Sequence, residues 1–414
     1  MNSYESYKTI SNIASPLSNT MDSKYISKKF EDIFKKNIKK NIKKNEYIGI
    51  RNIKKYFQNK NVKYNLENRI FYYNNIIEKL SSISNNECLN VVKRSNTNSY
   101  NYIIKNIISL EKRIGSSSKY GYIYIAKIKN ELGKRPIAAK LMVQDFKNTH
   151  ESELNKKISD IIIKKKLSKH FILTYKVIKC NQDSNNNLPD IINNSKYIML
   201  LNELAHGDLK SLCKKKEFFM NEDILYNVFS QIMLSILTFQ HFGYIHRDCH
   251  WGNFLYHYND IDNKDNNKYY HYNINKKNYY LKSCPYSIYI YDFGLSKKII
   301  YADTLDISED YVRLLSAFIN KNTYHRTWLS KFNIPPNLPS DDFSNFIIKF
   351  EKTINNTYKN NKYLQNYNFI NIISDTLIGI LLNMPNNIFT DKKPLNNNII
   401  NKKPYYINNK IKLK

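Results

Sequence analysis

The sequence predicts an α+β fold in two parts, strands first and helices afterwards. Three observations predict it. YGYIYIAKIK and RPIAAKLMV alternate or run apolar, rich in β-branched and aromatic residues, and turn-forming Asn130, Gly133 and Pro136 separate them. That is the pattern of adjacent antiparallel strands. Glu151 to Lys166 carries Leu154, Ile158, Ile161 and Ile162 at spacings of three and four with charges between them, as an amphipathic helix does. Residues 221–242 form the longest helical pattern, with Ile224, Leu225, Phe229, Ile232, Met233, Ile236, Leu237 and Phe239 on one wide apolar face and Gly243 as its stop. Between the two helices, YIMLLNEL reads as a buried strand leading into the turn and helix of HGDLKSL.

A chain of 414 residues has room for a large core and extensions. Lys+Arg 65 against Asp+Glu 35 gives a formal charge of +30, which raises nucleic acid or another polyanion as a partner. The chain is also crowded with Asn, Lys, Ile, Tyr and Phe, all with AT-rich codons, so a biased genome could supply much of the lysine without selection for binding. Residues 1–105 therefore read as a basic, solvated N-terminal extension. Asn and Ile interrupt Lys35, Lys36, Lys39, Lys40, Lys43 and Lys44, so at most weak, sequence-independent polyanion binding is expected of this arm. Cys88, Cys180, Cys213, Cys249 and Cys284 are odd in number and scattered, with no C-x-x-C pair. They point to neither a disulfide framework nor a zinc site, and to a reducing compartment. The longest apolar stretch, near Ile372 to Leu382, is interrupted by Ser, Asp and Thr and falls short of the ~20 residues of a membrane span. A soluble, cytoplasmic protein without a membrane span is expected.

Chemistry concentrates in YIHRDCHWGNFL, Tyr244 to Leu255, and YIYDFGLSK, Tyr289 to Lys297. His246, Arg247, Asp248 and Asn253 meet the pattern H-R-D-x-x-x-x-N, and Asp292, Phe293 and Gly294 meet D-F-G. Upstream, Ala138, Ala139 and Lys140 stand on a predicted strand, and Glu153 follows inside the predicted helix. In this order the motifs resemble the protein-kinase superfamily over roughly residues 110–320. The tract looks most like divergent Ser/Thr protein kinases of large cytoplasmic DNA viruses, which would place the protein in a host cytoplasm or a virion.

The resemblance implies a two-lobed protein-kinase-like fold: a β-rich N-lobe at 106–204, a mainly helical C-lobe at 205–385 with an insertion at 256–284, and a basic tail at 386–414. It implies ATP and Mg²⁺ as cofactors and a protein hydroxyl as acceptor. Lys140 would hold the α- and β-phosphates, and Glu153 would pair with it, with Glu151 as the rival for that role. Asp248 would orient the incoming hydroxyl, while Asn253 and Asp292 would hold Mg²⁺. Adenine would lie against the backbone of Asn202, Glu203 and Leu204, with Asp208 near the ribose. His246 is assigned packing beneath the D-F-G turn.

Three departures qualify the resemblance. The phosphate-covering loop offers only Gly115 and Gly121, six residues apart instead of five, with Ser117 near the middle position. His250 stands where Ser/Thr kinases usually carry a lysine, as in small-molecule kinases, and an imidazole is charged only when protonated. Little chain separates Gly294 from the helical pattern at Asp310, so Arg247 is expected to be satisfied by Asp303 or Asp306 without phosphorylation of Thr304, Tyr301 or Ser308. A small-molecule or lipid phosphotransferase, or a weakly active binding protein of the same fold, is the alternative.

Overall fold

The computed structural model describes residues 64–93, 100–118, 121–129, 137–181, 192, 196–258, 268–315, 318 and 340–408. The lysine clusters of residues 35–44, the turn at 130–136 and tail residues 409–414 lie outside them. Among the described residues the chain is α+β, with eight α-helices and a seven-stranded sheet. The strands are β1 (Asn90–Lys93), β2 (Tyr100–Ile104), β3 (Ile108–Ser118), β4 (Gly121–Ile128), β5 (Ile137–Val143), β6 (Thr174–Cys180) and β7 (Tyr197–Glu203). They run in the order β1-β2-β3-β4-β5-β7-β6, and each neighbouring pair is antiparallel. β5 lies between β4 and β7 and is buried along nearly its whole length, as its run IAAKLMV requires.

The described residues of the stretch 64–105 are not a solvated extension. Helix α1 (Leu66–Lys79) buries Leu66, Ile70, Tyr73 and Ile76, a stripe at spacings of three and four, and Asn65 caps it by accepting from the Asn68 N–H at 2.9 Å. Glu67, Asn68, Asn74 and Asn75 between the apolar positions hide this stripe in the sequence. Arg69, on the same face, is 1% exposed. Its Nε donates to both Glu203 carboxylate oxygens at 2.9 and 3.0 Å, Nη2 donates to Oε2 at 2.7 Å, and Nη1 donates to the Lys169 carbonyl at 2.8 Å. The guanidinium lies 4.3 Å from the Tyr289 ring centroid. Helix α1 and strand β2 thus pack into the same core as residues beyond 105. Cys88 and Cys180 form a disulfide across 92 residues, contrary to the expectation of free thiols; the sheet edge brings together two positions whose sequence distance conceals their proximity.

Helix α2 (Phe146–Lys165) begins five residues before the expected Glu151, because Asp145 accepts from the Asn148 N–H at 2.7 Å and caps it there. It buries Leu154, Ile158 and Ile162 against the sheet. After β7 come β8 (Gly207–Asp208), α3 (Leu209–Leu212), α4 (Lys216–Phe219) and α5 (Glu222–His241), the last buried on almost every side. β9 (Tyr244–Ile245) enters the loop that carries Asp248, and β10 (Phe254–Tyr258) leaves it.

The stretch expected as an insertion at 256–284 starts later, since β10 pairs through Tyr258 with β13 (Tyr286–Ile290). Its described part is a hairpin of β11 (Tyr269–Ile274) and β12 (Lys277–Lys282). Tyr272 sits 2.7 Å from His170 Nε2 in the core. β14 (Lys297–Lys298) pairs back with β9, and helices α6 (Thr304–Val312), α7 (Asp341–Asn361) and α8 (Asn366–Leu382) follow. The tail is not loose either: β15 (Phe389–Thr390) pairs with β12, and β16 (Tyr405–Ile407) runs parallel to β11. Phe389, Tyr405 and Ile407 are the apolar residues that hold it. Among the described residues no helix is long and apolar enough to cross a membrane.

Burial opposes the Glu203 charge, but the Arg69 guanidinium outweighs it and, with His257, holds the carboxyl well below the usual carboxylate range. The pair's contribution to stability is thus complete above the ordinary glutamate range, about 4.3, and is lost as pH falls through the lower native value. Replacing Arg69 with Met should cost about 3–5 kcal/mol of unfolding free energy at neutral pH, because Glu203 remains buried and unpaired. The deficit should narrow on acidification, as the stranded carboxyl accepts a proton. Urea melts of both proteins between pH 4 and 8 measure this, and a deficit independent of pH would contradict the assignment of Glu203 as the anion.

Candidate active site

Antiparallel register places Lys140 of β5 opposite Ile123 and Leu200, and Ala138 opposite Ile125 and Asn202. Alternation along β5 puts Lys140 and Ala138 on one face, while Ala139 and Leu141 enter the main core on the other. Lys140 is 5% exposed. Its Nζ lies 2.6 Å from Glu151 Oε1 and 3.3 Å from Asp292 Oδ1. Burial works against the ammonium, yet Asp292 and Glu151 outweigh it and keep the amine protonated.

The ion pair thus belongs to Glu151 and not to Glu153. Glu151 stands three residues before Leu154 and seven before Ile158, so it shares the face of α2 that meets the sheet. Glu153 faces outward and pairs with Lys179 at 3.1 Å. Burial raises the Glu151 carboxyl to about 7, opposed by the Lys140 ammonium that touches it.

Asp310 of α6 fixes the loop after β9: its carboxylate accepts from the His246 and Arg247 N–H groups, each at 2.7 Å. Arg247 turns with φ 64°. Asn253 Nδ2 donates to the Asp248 carbonyl at 2.9 Å and to Asp248 Oδ2 at 3.2 Å, which aims the carboxylate and leaves the amide oxygen of Asn253 on the other side. The Tyr291 N–H donates to the Asn253 carbonyl at 2.9 Å, so Asn253 is tied to the strand that delivers Asp292. Asp292 has φ 65°, and burial is outweighed by Lys140, which lowers its pKa. Phe293 stacks on Phe239 at 4.7 Å and meets His246 edge-on at 5.6 Å, the packing role expected of that histidine.

His250 Nδ1 accepts from the Gly252 N–H at 3.0 Å, so the neutral ring carries its proton on Nε2, 3.6 Å from Asp248 Oδ2. Burial lowers the pKa of this imidazole despite Asp248 and Asp292 nearby. Arg247 lies 4.0 Å from Asp306, and Thr304 is buried at the start of α6 with its hydroxyl donating to the Lys362 carbonyl at 3.0 Å. The Thr304 and Ser308 hydroxyls are thus buried in this structure, whereas Tyr301 is exposed.

Leu204 lies past the last ladder pair of β7, Ile137 with Glu203. With Ala138, Ile125, Ile114 and Ile123 it forms a small apolar cluster separate from the main core, on the face that carries Lys140. Asn202 Nδ2 donates to the Tyr291 hydroxyl at 2.9 Å. Asp208 caps α3, accepting from the Ser211 N–H at 2.8 Å. Gly115 and Ser117 lie on β3, whose register with β4 shifts between Ile114 and Ser118 and so absorbs the extra residue. Gly121 has a packing reason of its own, since a Cβ there would meet the Leu141 carbonyl oxygen at 2.7 Å. Asp310, Tyr291 and Arg313, whose Nη1 reaches within 3.8 Å of Asp248 Oδ1, were not marked as site residues by sequence reasoning.

A scan against protein-family models matched none, and a search of curated proteins found no significant similarity. The site must be argued from its geometry. If the site takes the Mg-ATP that the sequence resemblance implies, Glu151→Gln should weaken its binding by at least ~10-fold, the loss of a buried charge-assisted contact. Glu153→Gln should leave it unchanged. Fluorescent-nucleotide titration of the two variants decides between them, and the reverse order of effects would return the role to Glu153.

Proposed function

We propose that this chain is a Mg-ATP-dependent protein kinase of two-lobed kinase-like fold, transferring the γ-phosphoryl group to a Ser/Thr hydroxyl. The carrying observation is the convergence of two groups drawn from a strand, a helix and two loops: Lys140 with Glu151 and Asp292, and Asn253 with Asp248, joined through the Tyr291 N–H on the Asn253 carbonyl. A buried amine held by two carboxylates suits the α- and β-phosphates of a nucleotide. The apolar cluster around Ala138 and Leu204 suits the flat face of adenine, and the backbone after Glu203 supplies polar edges.

Asp292 and the free amide oxygen of Asn253 are hard oxygen donors, and two such ligands suit Mg²⁺, which keeps waters and takes phosphate oxygens. When bound, that ion would neutralise charge on the phosphates. Asp248 accepts the proton of the acceptor hydroxyl as its oxygen bonds to phosphorus and the β–γ bridging oxygen departs on ADP. Asn253 holds the Asp248 carboxylate in place for this. Lys140, kept cationic by its neighbours, stabilises the departing diphosphate.

Asp248→Asn should reduce phosphotransfer by at least ~100-fold with nucleotide affinity nearly intact, and Asp292→Asn should lower both rate and Mg-dependent affinity. A radiolabelled-ATP assay with casein, phosphoinositides and amino alcohols offered in parallel tests the class of acceptor. Label appearing only in amino alcohols or phosphoinositides would replace the protein-kinase reading with small-molecule or lipid phosphotransfer, and an active Asp248→Asn protein would refute the loop assignment.

A further inference from the structure

Position 250 gives the catalytic loop no permanent positive charge, yet a guanidinium reaches it from elsewhere in the fold. Arg313, the C-cap residue of α6, places Nη1 3.8 Å from Asp248 Oδ1 and donates from the same nitrogen to the Arg247 carbonyl. The opposite oxygen, Asp248 Oδ2, faces Asn253 Nδ2 at 3.2 Å and His250 Nε2 at 3.6 Å. The two edges of the carboxylate thus have different neighbours: a fixed cation on one, an amide and an imidazole on the other. Helical spacing explains how Arg313 arrives. Asp310 stands three residues earlier on the same helix face and binds the backbone of His246 and Arg247, so the residue that anchors the loop also aims Arg313 at it.

We propose that Arg313 is the positioning residue for Asp248, supplying from α6 a cation whose charge does not titrate. The inference rests on the phosphotransfer reading above. The guanidinium stands at the Oδ1 edge and the Asn253 amide at the Oδ2 edge, so the carboxylate is held from both sides. Its 29% side-chain exposure leaves Arg313 at the mouth of the site, on the Oδ1 side, away from Asn253. The other titratable groups around Asp248 are His246, Cys249, His250, Asp292 and Asp310. None of them is a permanent cation. Burial lowers the pKa of His250, so its ring contributes little charge at neutral pH. Arg247 is turned to Asp306, 4.0 Å away.

The test compares Arg313→Gln and Arg313→His with wild type and Asp248→Asn, using casein phosphorylation and phosphate release from ATP across pH 5 to 9. Arg313→Gln should lose at least ~10-fold in kcat, at the low end for a disturbed acid-base group. Its KM for ATP should be unchanged. Arg313→His makes the cation titratable, so its activity should fall as pH rises through roughly 6.5, a limb the wild type lacks. This second variant answers even if the first does not fold. Wild-type profiles in both variants beside an inactive Asp248→Asn would make Arg313 a bystander and leave the phosphotransfer reading standing. A parallel loss of ATP affinity would assign Arg313 to nucleotide binding or to the fold and overturn the inference. An Asp248→Asn protein as active as wild type would remove the phosphotransfer reading and this inference together.

Discussion

A guanidinium closed off from water organises this molecule. Arg69 must satisfy its N–H groups within the protein, and the partners it finds belong to three other segments: the Glu203 carboxylate at the end of β7, the Lys169 and Phe171 carbonyls before β6, and the Tyr289 ring on β13. None of these segments can move away without stranding a buried charge, which is why losing one member costs more than the intact pair contributes. The interaction ties α1 to the point where the chain leaves the sheet for the helices. Leu204 and Ala205, next along the chain, line the apolar surfaces beside Lys140 and Tyr291, so the same pair sets the wall of the candidate nucleotide slot.

A second buried charge, Lys140, obeys the same rule with a different outcome. Its carboxylate partners come from α2 and from the turn at Asp292, and the side chain of Asp292 is 42% exposed. One partner is therefore locked, while the other stays open to solvent. Backbone strain accompanies this arrangement. Arg247 and Asp292 both adopt the left-handed region, which disfavours side chains by roughly 1 kcal/mol or more. The Asp310 carboxylate and the Phe293 packing hold these conformations in place. The strain thus falls at the two turns that present Asp248 and Asp292.

The hairpin of β11 and β12 and the tail strands β15 and β16 lie on the far side of this framework. Tyr272 and Tyr405 are fully buried there, and His170 joins Tyr272 to the Ile288 carbonyl through its two ring nitrogens. The hairpin thus braces the segment that receives the Arg69 guanidinium, and it is part of the core.

Much of the fold was legible in the residues. The period of three and four in α5, the alternating strands β4 and β5, and the apolar run of β7 all reflect local geometry, which a short window records. So did the spacing of Asp248, Asn253 and Asp292 and the position of Lys140. The choice of Glu153 over Glu151 was wrong, because it depends on which face of α2 meets the sheet and on where Asp145 starts that helix. Arg69, the Cys88–Cys180 disulfide, the pairing of β16 with β11 and the reach of Arg313 to Asp248 were not visible at all. Each joins residues far apart in the chain, and a lysine-rich, asparagine-rich sequence gives a buried Arg the same local surroundings as an exposed one. The sequence by itself determined the local elements and the order of the reactive groups. The tertiary structure alone decided which charges are buried and paired, because desolvation depends on every segment that packs around a charge and not on its neighbours in the chain.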